Sequence, residues 1–348
     1  MDYAFGETSA DPTHDLNQPL TVLSFTPPGA TLPAMTEFEL IERCFGGWSL
    51  TDPGLIVGQG DDCLVWQDSA PLAMSIDTAV SGRHFPENAT AEQVAQRAFL
   101  PAVSDLAAMG ADPAFFTLAL TLPKTVDDVW LLAFGRRLRE LAEQWGLVLA
   151  GGDTTSGPVA VISVQVHGRV QHPLLRSGAR PGDDVWVSGQ TGLAAAVLPN
   201  ILDPTLPPVP EHWLAAYWQP VPRIELGQKL VGLASAAIDV SDGLAADLGH
   251  LAEASGVRIH VDCERLPMET ELRTRFGEAV WETVLAGGDD YELAFTAPAE
   301  HRETLGSLGR SFNLALTRIG RVEAGDAGVQ IRHNGRPLTL GHRGFEHF

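Results

Sequence analysis

Apolar runs of strand length in this chain end repeatedly in an aspartate set among Gly, Ser or Thr. Examples are Met74-Ser-Ile-Asp77-Thr, Leu147 to Ala150 running into Gly151-Gly-Asp-Thr-Thr155, and Ile238-Asp239-Val-Ser-Asp242-Gly243. A strand that stops this way delivers a carboxylate at the edge of a sheet, where the backbone turns. Gly58-Gln-Gly-Asp-Asp62 adds two adjacent carboxylates after a short apolar run. Asp105 differs: it lies inside Val103-Ser-Asp-Leu-Ala-Ala-Met109, a helical stretch of small apolar neighbours, where a buried carboxylate needs a positive partner. Helix-length periodic segments separate the strands, so the expected class is α/β or α+β.

Along the chain, residues 1–34 are polar, rich in Pro, Thr and Asp and without periodicity, and are expected to be a flexible extension, with Met35 a second candidate start. Phe38, Leu40, Ile41 and Phe45 predict a short helix that Gly46-Gly47 ends. Leu55 to Val57 reads as a strand, and Cys63 to Trp66 with Leu72 to Ile76 as a hairpin-like pair. Ala91 to Met109 and Val126 to Trp145 predict long helices, the first capped at Asn88-Ala-Thr90. The glycines of Gly151 to Thr155 read as a loop, and Val159 to Val170 as an alternating strand. Gly, Pro and Arg cluster in 171–181, which predicts a boundary between a domain of residues 35–170 and one of 171–348. Residues 199–222 read as a long loop around a short helix at Trp213 to Trp218, and Ile224 to Ser235 as a helix.

Composition narrows the function. The 44 acidic and 23 basic residues leave a net charge of −21, which repels a nucleic-acid backbone. Lys124 and Lys229 are the sole lysines and neither stands in a G-x-x-x-x-G-K-[ST] run, so a P-loop is excluded. No stretch reaches the ~18 uninterrupted apolar residues of a membrane helix. Cys44, Cys63 and Cys263 form no C-x-x-C pair and no zinc spacing, and the N-terminus lacks the basic and apolar regions of a secretory signal, so a cytoplasmic location is expected.

Each aspartate motif alone has a plain reading: an Asx turn at Asp61 and Asp62, a turn-initiating Asp77, an N-cap at Ser241 or Asp242. Together they favour a shared site in which hard divalent cations, held by scattered carboxylates, meet a phosphorylated ligand. Gly151-Gly152 would let phosphate approach backbone N–H groups.

These runs, in their order, resemble the thiamine-monophosphate kinase family, within the ATP-binding superfamily that includes aminoimidazole-ribonucleotide synthetase. The carriers are Gly60-Asp-Asp62, Asp77-Thr with His84-Phe85, Ser104 through Pro113, Gly151-Gly-Asp-Thr-Thr155, Arg176 through Gly182, Asp239-Val-Ser-Asp-Gly243, Gly287-Gly-Asp-Asp-Tyr-Glu-Leu293 and the closing Gly-Phe-Glu-His-Phe. The resemblance implies a two-domain aminoimidazole-ribonucleotide synthetase-like fold: an N-terminal mixed sheet with helices that pairs in a homodimer, and a C-terminal α/β sandwich. It implies transfer of the γ-phosphoryl of ATP to thiamine monophosphate, the last step towards thiamine diphosphate, with Mg2+ held by Asp62, Ser75, Ile76, Asp77, Asp105, Asp153, Asp239 and Asp242. Asp77, Asp105, Asp153 and Asp239 would be catalytic, Gly152, Asp153, Arg176 and Ser241 would contact ATP, and His84, Asp289 and His342 the substrate. Asp289 replaces the family's usual Glu, and His342 an aromatic. The alternatives are a sibling ATP-dependent synthetase and a metal-dependent phosphohydrolase. No cysteine lies in residues 1–36, unlike the reactive N-terminal segment of selenophosphate synthetases.

Overall fold

The computed structural model describes residues 37–60, 62–342 and 344–345. The extension expected at 1–34, Asp61 and the last three residues of the closing motif lie outside them. Glu37 to Phe348 forms one compact unit built on two main sheets.

The first half contributes α1 (Glu37–Phe45), β1 (Leu55–Val57), β2 (Val65–Trp66), β3 (Leu72–Val80), α2 (Ala91–Ala108), β4 (Asp112–Leu122), α3 (Asp128–Trp145), β5 (Val148–Ser156) and β6 (Val161–Arg169). β3 to β6 make a four-stranded sheet in the order β3-β6-β4-β5, with β4 and β5 parallel and the other neighbours antiparallel. Helix α2 starts where its sequence signal lies: Thr90 and Gln93 form a capping box, each side chain accepting from the other's backbone N–H. Asp127 caps α3, and Gly146 closes it in the left-handed conformation at φ 69°.

The second half contributes β7 (Asp184–Ser188), α4 (Leu193–Leu202), α5 (Glu211–Trp218), α6 (Ile224–Leu230), β8 (Ala236–Asp239), α7 (Leu244–Ser255), β9 (Arg258–Asp262), α8 (Thr270–Phe276), α9 (Val280–Ala286), β10 (Leu293–Ala297), α10 (Arg302–Ser311), β11 (Leu316–Glu323), β12 (Gly328–His333) and β13 (Arg336–Pro337). Its seven strands run β13-β12-β9-β11-β7-β10-β8. Only the β12–β9 pair is parallel, so both sheets are mixed, as the expected class requires.

Helix α2 joins the halves. It packs against β3 and β6 on one side and against α6 and β8 on the other. A helix covered on both sides has no polar face, which is why Val94, Phe99, Val103 and Leu106 are all buried. Phe99 meets Phe116 of β4 edge to face at 5.1 Å between ring centres. Burial of such side chains stabilises by ~1.5–3 kcal/mol each relative to exposure. Small residues set the closest approach: a Cβ on Gly227 of α6 would lie 2.0 Å from the Ala107 carbonyl oxygen.

Four local expectations are corrected. β2 does not pair with β3: it pairs with β1, while β3 forms a nine-residue ladder with β6, from Leu72 opposite Arg169 to Val80 opposite Val161. The longer ladder buries more cross-strand pairs than a two-residue hairpin can. Gly151 to Thr155 is not a loop but the body of β5, because it continues in register beside β4 as far as Ser156 opposite Leu122. The prolines of 199–222 obscured α4, in which Pro199 is tolerated near the C-terminal end, and α6 stops at Leu230, well short of Ser235. No helix among the described residues is long and apolar enough to cross a membrane.

Candidate active site

Asp77, Asp105 and Asp239 come together where α2 passes between the sheets. Alternation along β3 turns Ser75, Asp77 and the buried Ala79 away from the exposed Met74, Ile76 and Thr78. Ser75, Asp105, Met109, Arg176 and Asp239 line a cavity of about 240 Å3. The Ser75 hydroxyl donates to Asp105 Oδ2, and the Ser104 hydroxyl donates to Asp239 Oδ2 at 2.7 Å. The adjacent serines and aspartates of β3, α2 and β8 thus interlock across the junction of the two halves.

The electrostatics are those of a site that lacks positive charge. Burial, with Asp105 next, pushes the Asp239 carboxyl up to about 8. Burial, again with Asp105 next, pushes Asp77 up to about 6. Asp105 is also raised by burial, against the pull of its Ser75 hydrogen bond and the Arg176 guanidinium. Three carboxylates face one arginine, and hard oxygen donors in this arrangement suit a divalent cation such as Mg2+.

The sign of the pH effect follows. An acid whose folded pKa lies above its unfolded value near 3.8 binds more protons when folded, so its contribution favours folding at low pH and is lost as pH rises through the folded value. Metal-free protein is therefore expected to lose thermal stability between pH 4 and pH 8 from these groups. Added Mg2+ is expected to restore it most at the upper end. Thermal melts in EDTA and in Mg2+, with Asp239→Asn as the control that flattens the slope, test this; a slope unchanged in the variant would refute the assignment.

Asp62, Gly152 and Asp153 occupy a second cavity of about 410 Å3, between the Gly58 to Leu64 loop and β5. The Gln59 side-chain amide ties that loop to β5 by donating to the Leu149 carbonyl at 3.0 Å. Gly152 must be glycine, since a Cβ there would lie 2.1 Å from the Leu118 carbonyl oxygen. Across the sheet Asp77, Val164, Leu118 and Gly152 stand in one row. Three strand spacings of ~4.8 Å separate its ends by roughly 14 Å. One chain therefore gathers Asp77, Asp105 and Asp239, and holds Asp62 and Asp153 at the opposite edge of the sheet.

Ser241 and Asp242 form a tight turn before α7. Neither caps the helix: the N-cap is Gly243, at φ 130°, and makes no side-chain cap bond. Asp247, inside the first turns of α7, closes the loop instead. Its Oδ2 accepts from the backbone N–H groups of Ser241, Asp242 and Gly243 at 3.0, 3.2 and 3.1 Å. Burial and the neighbouring Asp242 push its carboxyl up to about 7. Asp242, Asp247 and His250 have donor atoms within 4.8 Å of one another. Sequence reasoning missed Asp247, whose signal was an acidic residue four positions after a Ser-Asp-Gly turn.

His84 and Asp289 are linked through Arg97 of α2, another residue the sequence reading passed over. Arg97 Nη2 donates to Asp289 Oδ1 at 2.8 Å and to the His84 carbonyl at 3.4 Å. His84 Nδ1 accepts from the Val80 N–H at 3.0 Å. Asp290 points elsewhere: its Oδ1 accepts from the Gly192 N–H at 2.8 Å, and burial raises its carboxyl well above the ordinary range. His342 is exposed, on a segment that returns to the site. The Phe345 N–H donates to the Asp242 carbonyl at 2.9 Å, and the Arg83 guanidinium stands 4.7 Å over the Phe345 ring.

Residues 60–170 match the N-terminal domain model of AIR synthase related proteins, and residues 180–332 the C-terminal domain model. A thiamine-monophosphate kinase of Salmonella typhimurium is 40% identical over 325 residues, covering 90% of this chain and 99% of that protein. The crystal structure of thiamine-monophosphate kinase from Stenotrophomonas maltophilia K279a superposes with a TM-score of 0.78 at 40% identity, over 87% of this chain and 98% of that one. AaThiL complexed with AMPPCP and TMP superposes at 0.73 with 31% identity, over 82% and 89% of the two chains. Likeness of this extent and identity, on a junction lined by aspartates, means that the chain belongs to the thiamine-monophosphate kinase family.

Proposed function

We propose that this chain transfers the γ-phosphoryl group of ATP to thiamine monophosphate, giving thiamine diphosphate and ADP. The observation that carries the reading is the convergence of Asp77, Asp105 and Asp239 opposite Arg176. Relatives named for this activity, one of them complexed with AMPPCP and TMP, support both substrates. The residues that would hold Mg2+ are Asp62, Ser75, Asp77, Asp105, Asp153, Asp239 and Asp242, with the Ile76 carbonyl. Bound there, Mg2+ neutralises phosphate oxygens, so that two anions can approach in an acidic protein.

The chain's own groups supply the rest. Arg176 lines the carboxylate cavity, where its guanidinium can follow charge on the transferred group. Gly152 lines the second cavity beside Asp153, and Ser241 lies in the turn that Asp247 holds. The second ionisation of the acceptor phosphate lies near ~6, so its oxygen is a nucleophile at neutral pH without a side-chain base. As its bond to the γ-phosphorus forms, the bond from that phosphorus to the β–γ bridging oxygen breaks and ADP leaves with the electron pair. The transfer is direct, in line and without a phosphorylated side chain.

Residues 35–170 serve as the metal and nucleotide domain and 171–348 as its partner domain, and the working form is a cytoplasmic homodimer. β3 and β5 are the two edges of the four-stranded sheet. β3 exposes Met74 and Ile76 at 64% and 61%, an apolar edge that a soluble monomer normally protects. Pairing β3 of one copy with β5 of another would set the Asp153 strand beside the Asp77 strand and complete the ligand set that one chain divides.

A coupled ADP assay with thiamine monophosphate, thiamine and no acceptor tests the reading. ADP is expected with thiamine monophosphate alone. Equal ADP release without an acceptor would make the chain a hydrolase, and a radiolabelled phospho-protein trapped in turnover would end direct transfer.

A further inference from the structure

We infer that Arg97 is the positioning residue for the acceptor: it sets Asp289 and the His84 segment together, and so governs affinity for thiamine monophosphate and not for the nucleotide. The inference rests on the function proposed above, in which His84 and Asp289 contact the acceptor.

Arg97 lies on the buried face of α2, with a side chain only 4% exposed. Its guanidinium reaches three segments distant in sequence. Nη2 donates to Asp289 Oδ1 at 2.8 Å and to the His84 carbonyl at 3.4 Å, and Nη1 donates to the Tyr217 carbonyl at 3.1 Å. The plane sits 4.3 Å from the centre of the Tyr217 ring, and the Tyr217 hydroxyl donates to the same His84 carbonyl at 3.2 Å. Arg97 and Tyr217 thus hold one carbonyl of the His84 segment from two sides, while Arg97 holds Asp289.

Two observations set this apart from an ordinary ion pair. Asp289 and Tyr291 both stand in the left-handed region, at φ 69° and 52°, which non-glycine residues occupy only when their surroundings enforce it. The enforcement is visible: the Asp289 N–H donates to the Ser241 carbonyl and the Tyr291 N–H to the Val240 carbonyl, each at 2.8 Å, and the Tyr291 hydroxyl donates to Asp289 Oδ1 at 3.1 Å. In addition, the Asp289 side chain remains 33% exposed although its cation is buried. Arg97 and Tyr291 both engage Oδ1, so the carboxylate is aimed from one oxygen while the group still faces outward.

A carboxylate repels phosphate, so an aimed Asp289 meets the end of the acceptor that carries an amine or a cation: the aminopyrimidine or the thiazolium. Lysine cannot replace Arg97 in this role. A single ammonium on a flexible stem lacks the planar fork that serves Asp289, His84 and Tyr217 at once.

Steady-state kinetics on the full chain with ATP and thiamine monophosphate test the inference. Arg97→Lys is expected to raise KM for thiamine monophosphate by about tenfold or more, the scale of a lost hydrogen bond to a charged group. KM for ATP and kcat at saturating acceptor are expected to stay within about threefold. Tyr217→Phe, which removes one bond to the His84 carbonyl, should raise the same KM by roughly threefold. A parallel rise in both KM values, a loss confined to kcat, or an unchanged acceptor KM in either variant would overturn the inference. Tyr217→Phe alone decides the matter if Arg97→Lys does not fold. Wild-type chain that forms no ADP with thiamine monophosphate defeats the underlying reading as well, whereas normal wild-type turnover with unaltered variants defeats this inference alone.

Discussion

Replacing Asp105 with Asn is expected to lower turnover by roughly 10²- to 10³-fold, the usual effect of removing one preorganised electrostatic contact from a reacting centre. Asp105 is the hub of the cluster: it bonds Ser75, feels Arg176 and raises both Asp77 and Asp239. The same change is expected to stabilise the metal-free protein at neutral pH, because it removes a buried negative charge that burial already disfavours, and an amide can still accept from Ser75. Turnover and stability should therefore move in opposite directions. Initial rates across a Mg2+ titration, with thermal melts in EDTA, measure both. Asp105→Asn with near-normal kcat at low Mg2+ would show that the cluster is an incidental meeting of acids. Parallel loss of activity and melting temperature would show that it is structural.

Mixing two inactive variants, Asp77→Asn and Asp153→Asn, is expected to regenerate activity. The two aspartates lie on strands at opposite edges of one sheet, so under the proposed edge pairing each site draws one from each copy. After subunit exchange half the dimers are mixed and each mixed dimer holds one intact site, so about a quarter of wild-type activity should return under two-fold symmetry. Each variant alone should stay near background. If the mixture stays inactive while sedimentation confirms exchange, Asp153 does not serve Asp77 of a neighbouring copy, and the edge-pairing arrangement fails.

Much of the site was legible as residue types at local positions. Asp77 and Asp239 were marked by short apolar runs that reach a carboxylate and Asp105 by small apolar neighbours in a helical stretch; the structure brings those three together, although β3 does not stop at Asp77 as expected but runs on to Val80 beside β6. The start of α2 was equally legible, because Thr90 and Gln93 satisfy one another within a single turn. Expectations failed where the deciding contact is distant. The glycines of 151–155 look like a loop until β4 supplies a parallel partner. Cys63 to Trp66 and Leu72 to Ile76 look like a hairpin until β6, about ninety positions on, claims β3.

By itself the sequence determined most of the helices and strands, the start of α2 and which short runs carry the carboxylates, because propensity, capping and alternation act over a few residues. Only the tertiary structure decided which carboxylates share a cavity, that Asp62 and Asp153 sit at the far edge of the sheet, and that Arg97 serves Asp289 across 192 positions. Those outcomes depend on sheet register and on how closely α2 fits between two sheets, and such contacts form only when segments far apart in the chain bury their apolar faces against each other.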